Sequence, residues 1–177
     1  QEAAGIQPQV AGPAVPGVAT GTHPPGDTAG DKDGGTAADP GRDEVVLPAG
    51  SGAGRRVVFS EAEQRVWLVR GDGTVRRTYL VSGSVEDNLE PGTYSVFSRS
   101  RWAVGLDDSG VMEFFVRFAH GERAAIGFHT IPTKLGVALQ SRAELGTPRS
   151  HGCIRQAKAD AISLWKFAPE GTPVVVV

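Results

Sequence analysis

The chain has 177 residues, 40% of them hydrophobic, with 24 Gly, 12 Pro and a formal net charge of −2. That length suits one domain plus a tail rather than two full domains. The near-neutral charge gives no reason to expect a nucleic-acid partner. A single cysteine excludes an intramolecular disulfide, and no run of about eighteen apolar residues marks a transmembrane helix.

Residues 1–54 are dominated by Gly, Pro, Ala, Asp and Thr, with no apolar period of 3.6 or 2. Such a stretch buries too little surface to offset its ordering entropy, so it reads as a flexible, disordered acidic tail or linker. Residues 1–44 hold seven acidic and two basic residues, net −5, so with −2 overall the remainder carries +3. His23 reads as a solvated tail residue. The chain begins at Gln1 with no visible export signal, and reads as processed or trimmed.

From Arg55 the texture changes, and 55–177 reads as the folded domain. Arg56–Phe59 and Gln64–Val69 are rich in β-branched and aromatic residues and predict strands. Gly71-Asp-Gly73 marks a turn into a third strand near Val75–Val81. Glu90-Pro-Gly92 turns into the alternating segment Thr93–Phe97. Asp107-Asp108 reads as a short acidic turn before a strand over Val111–Phe118. Ala119–Glu122, with His120 as a turn residue, leads to a returning strand, Ala124–Phe128, which ends at His129. Ala157, Ala161, Leu164, Trp165 and Ala168 form the apolar stripe of one helix, stopped by Pro169 and Gly171. Thr172–Val177 reads as a buried closing strand. Strands at this spacing predict a mainly β fold, an antiparallel sandwich or barrel with a short helix. Trp67, Phe97, Phe114 and Trp165 are expected in the core.

The chemistry concentrates in Ser150-His-Gly-Cys-Ile-Arg155. Cys153 lies in a polar segment just ahead of the predicted helix. The unpaired N–H groups and positive dipole end of a helix start would stabilise a thiolate, helped by Arg149 and Arg155. A thiolate attacking an acyl carbon needs a base and an oxyanion hole. Two bases are available, His129 and His151. His151, two residues from Cys153, is the poorer in-line partner, whereas His129 ends a strand that can aim it across at another element. Gly152 permits close backbone approach, so amides near Cys153 can face a developing oxyanion.

The pattern His129 … Ser150-His151-Gly152-Cys153-Ile154-Arg155, followed by Asp160-Ala161 and Leu164-Trp165, resembles the L,D-transpeptidase (YkuD-type) catalytic domain. Glu90-Pro-Gly-Thr-Tyr-Ser-Val96 and Gly127-Phe-His129 are similar to that family's turn before a strand and its strand-end histidine. The resemblance runs from about Arg55 to Val177. It implies a YkuD-like β-sandwich or barrel in which Cys153 and His129 face each other across a cleft. Cys153 would attack the carbonyl of the diamino acid in a peptidoglycan tetrapeptide stem, D-Ala would leave, and a thioester would form. A side-chain amine of a second stem would resolve it into a 3→3 cross-link. His129 would carry the protons, the Thr130 carbonyl would orient its ring, and His151 and Gly152 would shape the oxyanion hole. Ser150, Arg149 and Arg155 would contact substrate, with Arg155 standing where the family's most quoted motif has Asn. The loop 130–149 is somewhat longer than the family's usual spacing and, with Lys134, Arg142 and Arg149, reads as a lid or carboxylate-binding wall. The resemblance implies no cofactor, an extracytoplasmic or wall-associated location, sensitivity to carbapenems, and a monomer.

Two competing classes remain at this level. A cysteine hydrolase of wall peptides uses the same pair, but usually with the Cys ahead of the His. A zinc or wall-binding module would use His129, His151 and Cys153 as ligands, at a spacing unlike common zinc motifs.

Overall fold

The computed structural model describes residues 45–106 and 109–177. Eleven strands and one α-helix follow in chain order: β1 Arg56–Ser60, β2 Arg65–Val69, β3 Val75–Leu80, β4 Gly92–Ser95, β5 Ser98–Val104, β6 Val111–His120, β7 Ala125–Thr130, β8 Thr133–Lys134, β9 Val137–Ala138, β10 Ile154–Gln156, α1 Lys158–Phe167 and β11 Pro173–Val176. The mainly β architecture expected from the strand spacing is the one observed. The expected tail lies mostly outside the described residues, as do His23 and Asp107-Asp108. Of its last residues, Leu47 packs on the domain and Ser51 is buried.

Two sheets form. One has the order β3-β2-β1-β11-β4, and the other has β10-β7-β6-β8-β9 with β5 also paired to β6. The expected antiparallel pairing holds for most neighbouring strands, but β1 pairs with β11 in parallel, and so does β7 with β10. Both pairings join strands distant in sequence, so no local turn announces them.

Strand β1 is buried at all five positions because it is covered on both faces. Val57 and Phe59 face the main core with Val66, Leu68, Phe118 and Phe128, while Val58 joins Trp67, Val69 and Val175 in a second cluster. Phe128 links the sheets, edge-on to Phe59 at 6.2 Å and stacked on Phe118 at 4.9 Å. A side chain buried this way contributes about 1.5–3 kcal/mol. By the twofold alternation of a strand, Phe128 points into the core while its neighbours Gly127 and His129 face away from it.

Helix α1 buries Ala161, Leu164 and Phe167, as its apolar stripe predicts. Asp160, in its first turn, accepts two hydrogen bonds from Arg77 on β3, which ties the helix start to an edge strand. Trp165 is only partly buried, edge-on to Phe114 at 5.8 Å with the Arg99 guanidinium 3.8 Å over its ring. Phe97 departs from expectation. It is 40% exposed and stacks on His120, which closes β6 instead of turning.

Candidate active site

The parallel pairing of β10 with β7 sets the site's geometry. Its register is Ile154↔Phe128, Arg155↔His129 and Gln156↔Thr130. Since Ile154 and Phe128 both belong to the core, their neighbours Cys153, Arg155, Gly127 and His129 share the opposite face. Phe115 and Arg117 of β6 bring further side chains to it: the Phe115 ring stands edge-on to His129 at 5.3 Å, and the Arg117 guanidinium lies 4.1 Å over Phe115. Above this face opens a cleft of about 970 Å³, lined among others by His129, Cys153, Arg117 and Arg155.

His129 is 3% exposed. Its Nδ1 lies 2.6 Å from the Thr130 carbonyl oxygen. A carbonyl only accepts, so Nδ1 carries the proton and Nε2 keeps a lone pair. Burial, helped by the charges of Arg155 and Arg117 and opposed by the Thr130 hydrogen bond, lowers the His129 pKa to about 4. The imidazole is therefore neutral at neutral pH.

Cys153 is half-buried, and its thiol donates to the Ala125 carbonyl at 3.6 Å. Burial raises its pKa, and the Gly127 amide and the charges of Arg117 and Arg155 oppose that rise. The resting pair is thus thiol and neutral imidazole, not an ion pair. The helix-start argument for a thiolate does not hold, because β10 intervenes and α1 begins only at Lys158. The groups that favour the thiolate are instead the Gly127 amide and two arginines.

Ser150 shapes the turn before the thiol. Its hydroxyl donates to the Cys153 carbonyl and accepts from the Gly152 amide at 3.2 Å. The turn is held from outside as well: Ser150 donates its amide to the Gly83 carbonyl, Val85 donates to the Ser150 carbonyl, and Asn88 reaches the His151 carbonyl at 2.9 Å. Ser150, His151, Gly152 and Arg155 all line the cleft. Arg155 donates to Gln140 Oε1 at 3.3 Å, whereas Asp160 is taken by Arg77. Arg149 is not among the cleft-lining residues. Its guanidinium pairs with Glu144 at 2.8 Å. The loop 130–149 contains the two-residue strands β8 and β9, which pair with each other, and a 3-10 turn at Arg142–Glu144 capped by Ser141 and Glu144.

Two site features escaped the sequence reading. Arg117 sits between apolar residues of β6, and only the cross-strand register reveals its place. Gly127 is constrained by β6: a Cβ there would lie 2.2 Å from the Val116 carbonyl oxygen and 2.8 Å from Arg117 Cα. Its proximity to the predicted His129 was the available signal. Among the described residues, no three His, Cys, Asp or Glu side chains are grouped to hold a metal ion.

The L,D-transpeptidase catalytic domain (YkuD) family model matches residues 54–176. A putative L,D-transpeptidase of Bacillus subtilis, YciB, is 34% identical over 121 residues, which cover 64% of this chain and 61% of the relative. The chain thus spans less than two thirds of that relative's length. In fold, the chain is similar to an L,D-transpeptidase from Mycobacterium smegmatis (TM-score 0.58, 19% identity, 71% of this chain and 59% of that one). It is also similar to L,D-transpeptidase 3 from Mycobacterium tuberculosis, solved with a faropenem-derived adduct (TM-score 0.53, 21% identity, 71% and 60%).

Proposed function

The chain belongs to the YkuD family of L,D-transpeptidase catalytic domains, and from that premise we propose that it cross-links peptidoglycan stems, or attaches wall proteins, through a thioester on Cys153. The donor is a tetrapeptide stem, cut between its diamino acid and the terminal D-Ala. The acceptor is a side-chain amine.

The observation that carries this reading is the Arg155↔His129 register, which sets Cys153 and a neutral, Nδ1-anchored His129 on one face of a single cleft. In the first half-reaction, the thiol turns from the Ala125 carbonyl toward His129 Nε2. The sulfur attacks the donor carbonyl as His129 takes its proton. The tetrahedral oxyanion collapses, the C–N bond breaks, and His129 returns the proton to the departing amine. In the second half, the acceptor amine attacks the thioester and gives its proton to His129. The thiol leaves and recovers that proton. Because the Gly152 amide is already donated to Ser150, oxyanion binding falls to the other amides of the turn 151–153. Arg155 faces the cleft as a cation for a stem carboxylate. Glu86, Asp87, Glu90 and Glu122 on the rim suit a cationic amine acceptor.

No helix among the described residues is long and apolar enough to cross a membrane. The substrate class argues for an extracytoplasmic site of action. The test is to incubate the protein with a stem tetrapeptide ending in D-Ala and a second peptide bearing a free side-chain amine. Release of D-Ala with formation of the mixed dimer supports transfer. Release of D-Ala with tripeptide alone would make the protein a hydrolase of the same bond.

A further inference from the structure

Arg117 is a charged group on the reacting face to which the proposed chemistry assigns no contact with substrate. Its Nη1 donates to Ser98 Oγ at 3.1 Å and Ser100 Oγ at 2.8 Å, both neutral partners from β5. Among the described residues no carboxylate pairs with it, and its Nε and Nη2 donate to none of them. A guanidinium offers five donors in a planar fork, so one whole edge of this one is unused. Leaving such a group unpaired in a half-buried position is costly unless a ligand completes it.

The position of that edge is set by the sheet. Arg117 pairs with Gly127 across β6 and β7, and one step back from Ile154↔Phe128 the next strand carries Cys153 beside Gly127. Arg117, Gly127 and Cys153 therefore form one row across three strands, about 10 Å from end to end at ordinary strand spacing. The middle position has no side chain to fill the row, and none fits there. Arg117 also reaches toward His129 through Phe115. A leaving amine protonated by His129 carries its own carboxylate two bonds from the nitrogen, so that carboxylate departs on the face that Arg117 shares with His129. The charge of Arg117 is felt at both reacting groups, lowering the pKa of Cys153 and of His129.

Resting on the transpeptidase reading, we propose that the free edge of Arg117 binds the C-terminal carboxylate of the residue that leaves, so that the enzyme selects donors ending one residue beyond the attacked carbonyl. Arg155, by contrast, stands across from His129 and is held by Gln140, which leaves it for a carboxylate elsewhere on the stem. Selection of this kind makes the first half-reaction an exchange at a free chain end and spares internal peptide bonds.

The test uses the full chain, a stem tetrapeptide ending in D-Ala, and the same peptide with a C-terminal carboxamide. Acyl-enzyme formation is followed by intact mass for the wild type, Arg117→Met and Arg117→Lys. The wild type is expected to favour the carboxylate donor by about 10- to 100-fold, the range of a charge-assisted hydrogen-bonded pair. Arg117→Met should lose the preference, acylating with the two donors at similar rates, both lowered because the thiol also loses the charge of Arg117, and Arg117→Lys, with a cation but no fork, should keep a reduced preference. A preference that survives in Arg117→Met overturns the proposal. So does an equal loss on both donors, which marks a structural role only, or a wild type indifferent to the donor terminus. If Arg117→Met does not fold, a full wild-type preference in Arg117→Lys overturns the need for the fork. A wild type that acylates with neither donor removes the transpeptidase reading and this inference together, an outcome distinct from acylation without preference.

Discussion

His129 is a buried imidazole kept neutral, and this has a measurable consequence for stability. An unfolded chain exposes a histidine of ordinary pKa near 6.5, whereas the folded value is about 4. Between these values the unfolded state binds more protons, so stability is complete above pH 6.5 and is lost as pH falls. With that shift, about 2 kcal/mol is lost between pH 7 and 5, and about 3 kcal/mol by pH 4. The control is His129→Gln, which fills a similar space and does not titrate. Urea unfolding of both proteins at pH 7, 5 and 4 gives the difference directly. Carboxylates that also titrate there, such as Glu61 with its raised pKa and Glu113 with its lowered one, are common to both and cancel. The variant should gain on the wild type by about 3 kcal/mol between pH 7 and 4, a midpoint change on the order of 1–3 M urea. Parallel stability profiles would refute the buried, neutral imidazole.

Three further outcomes follow from the same geometry. Acylation should hold a plateau over roughly pH 5–8 and fall as His129 protonates near pH 4. His129→Gln should lower the plateau by about 10²- to 10⁴-fold, the usual contribution of a positioned base; stopped-flow or mass kinetics across pH would check both. Gly127→Ala should destabilise the domain by about 1–3 kcal/mol or more, because its methyl meets backbone on β6. Thermal unfolding would show this, and an unchanged melting temperature would contradict the close approach of β6 to β7.

Much of the fold was legible because its strands are rich in β-branched and aromatic residues and its helix carries an apolar stripe. Arg56–Phe59, Val111–Phe118 and the Ala161–Leu164 stripe are cases in point. What was not legible depends on partners distant in sequence. Strand β10 has three residues and exists because β7 receives it. Strands β8 and β9 have two residues each, below any sequence period. Strand β5, Ser98–Val104, is largely exposed and offers little apolar alternation. The Cys153 and His129 pair stood out from residue chemistry and motif. Arg117 did not, since an Arg between two apolar strand residues looks like any solvated position until β7 is laid beside it. Arg149 illustrates the converse, a cation adjacent in sequence whose charge goes to Glu144. The thiol's electrostatic support was sought in a helix start with Arg149 and Arg155, and the structure supplies it from a strand amide, Arg117 and Arg155.

The central claim is that Cys153 is an acyl acceptor served by His129. The most direct measurement is the intact mass of the wild type and of Cys153→Ala after incubation with faropenem, the compound whose derived adduct is present in the related Mycobacterium tuberculosis structure. The account predicts one covalent adduct on the wild type, mapped to Cys153 and absent from Cys153→Ala. No adduct on a folded protein with its thiol reduced, or an equal adduct on the variant, would contradict it.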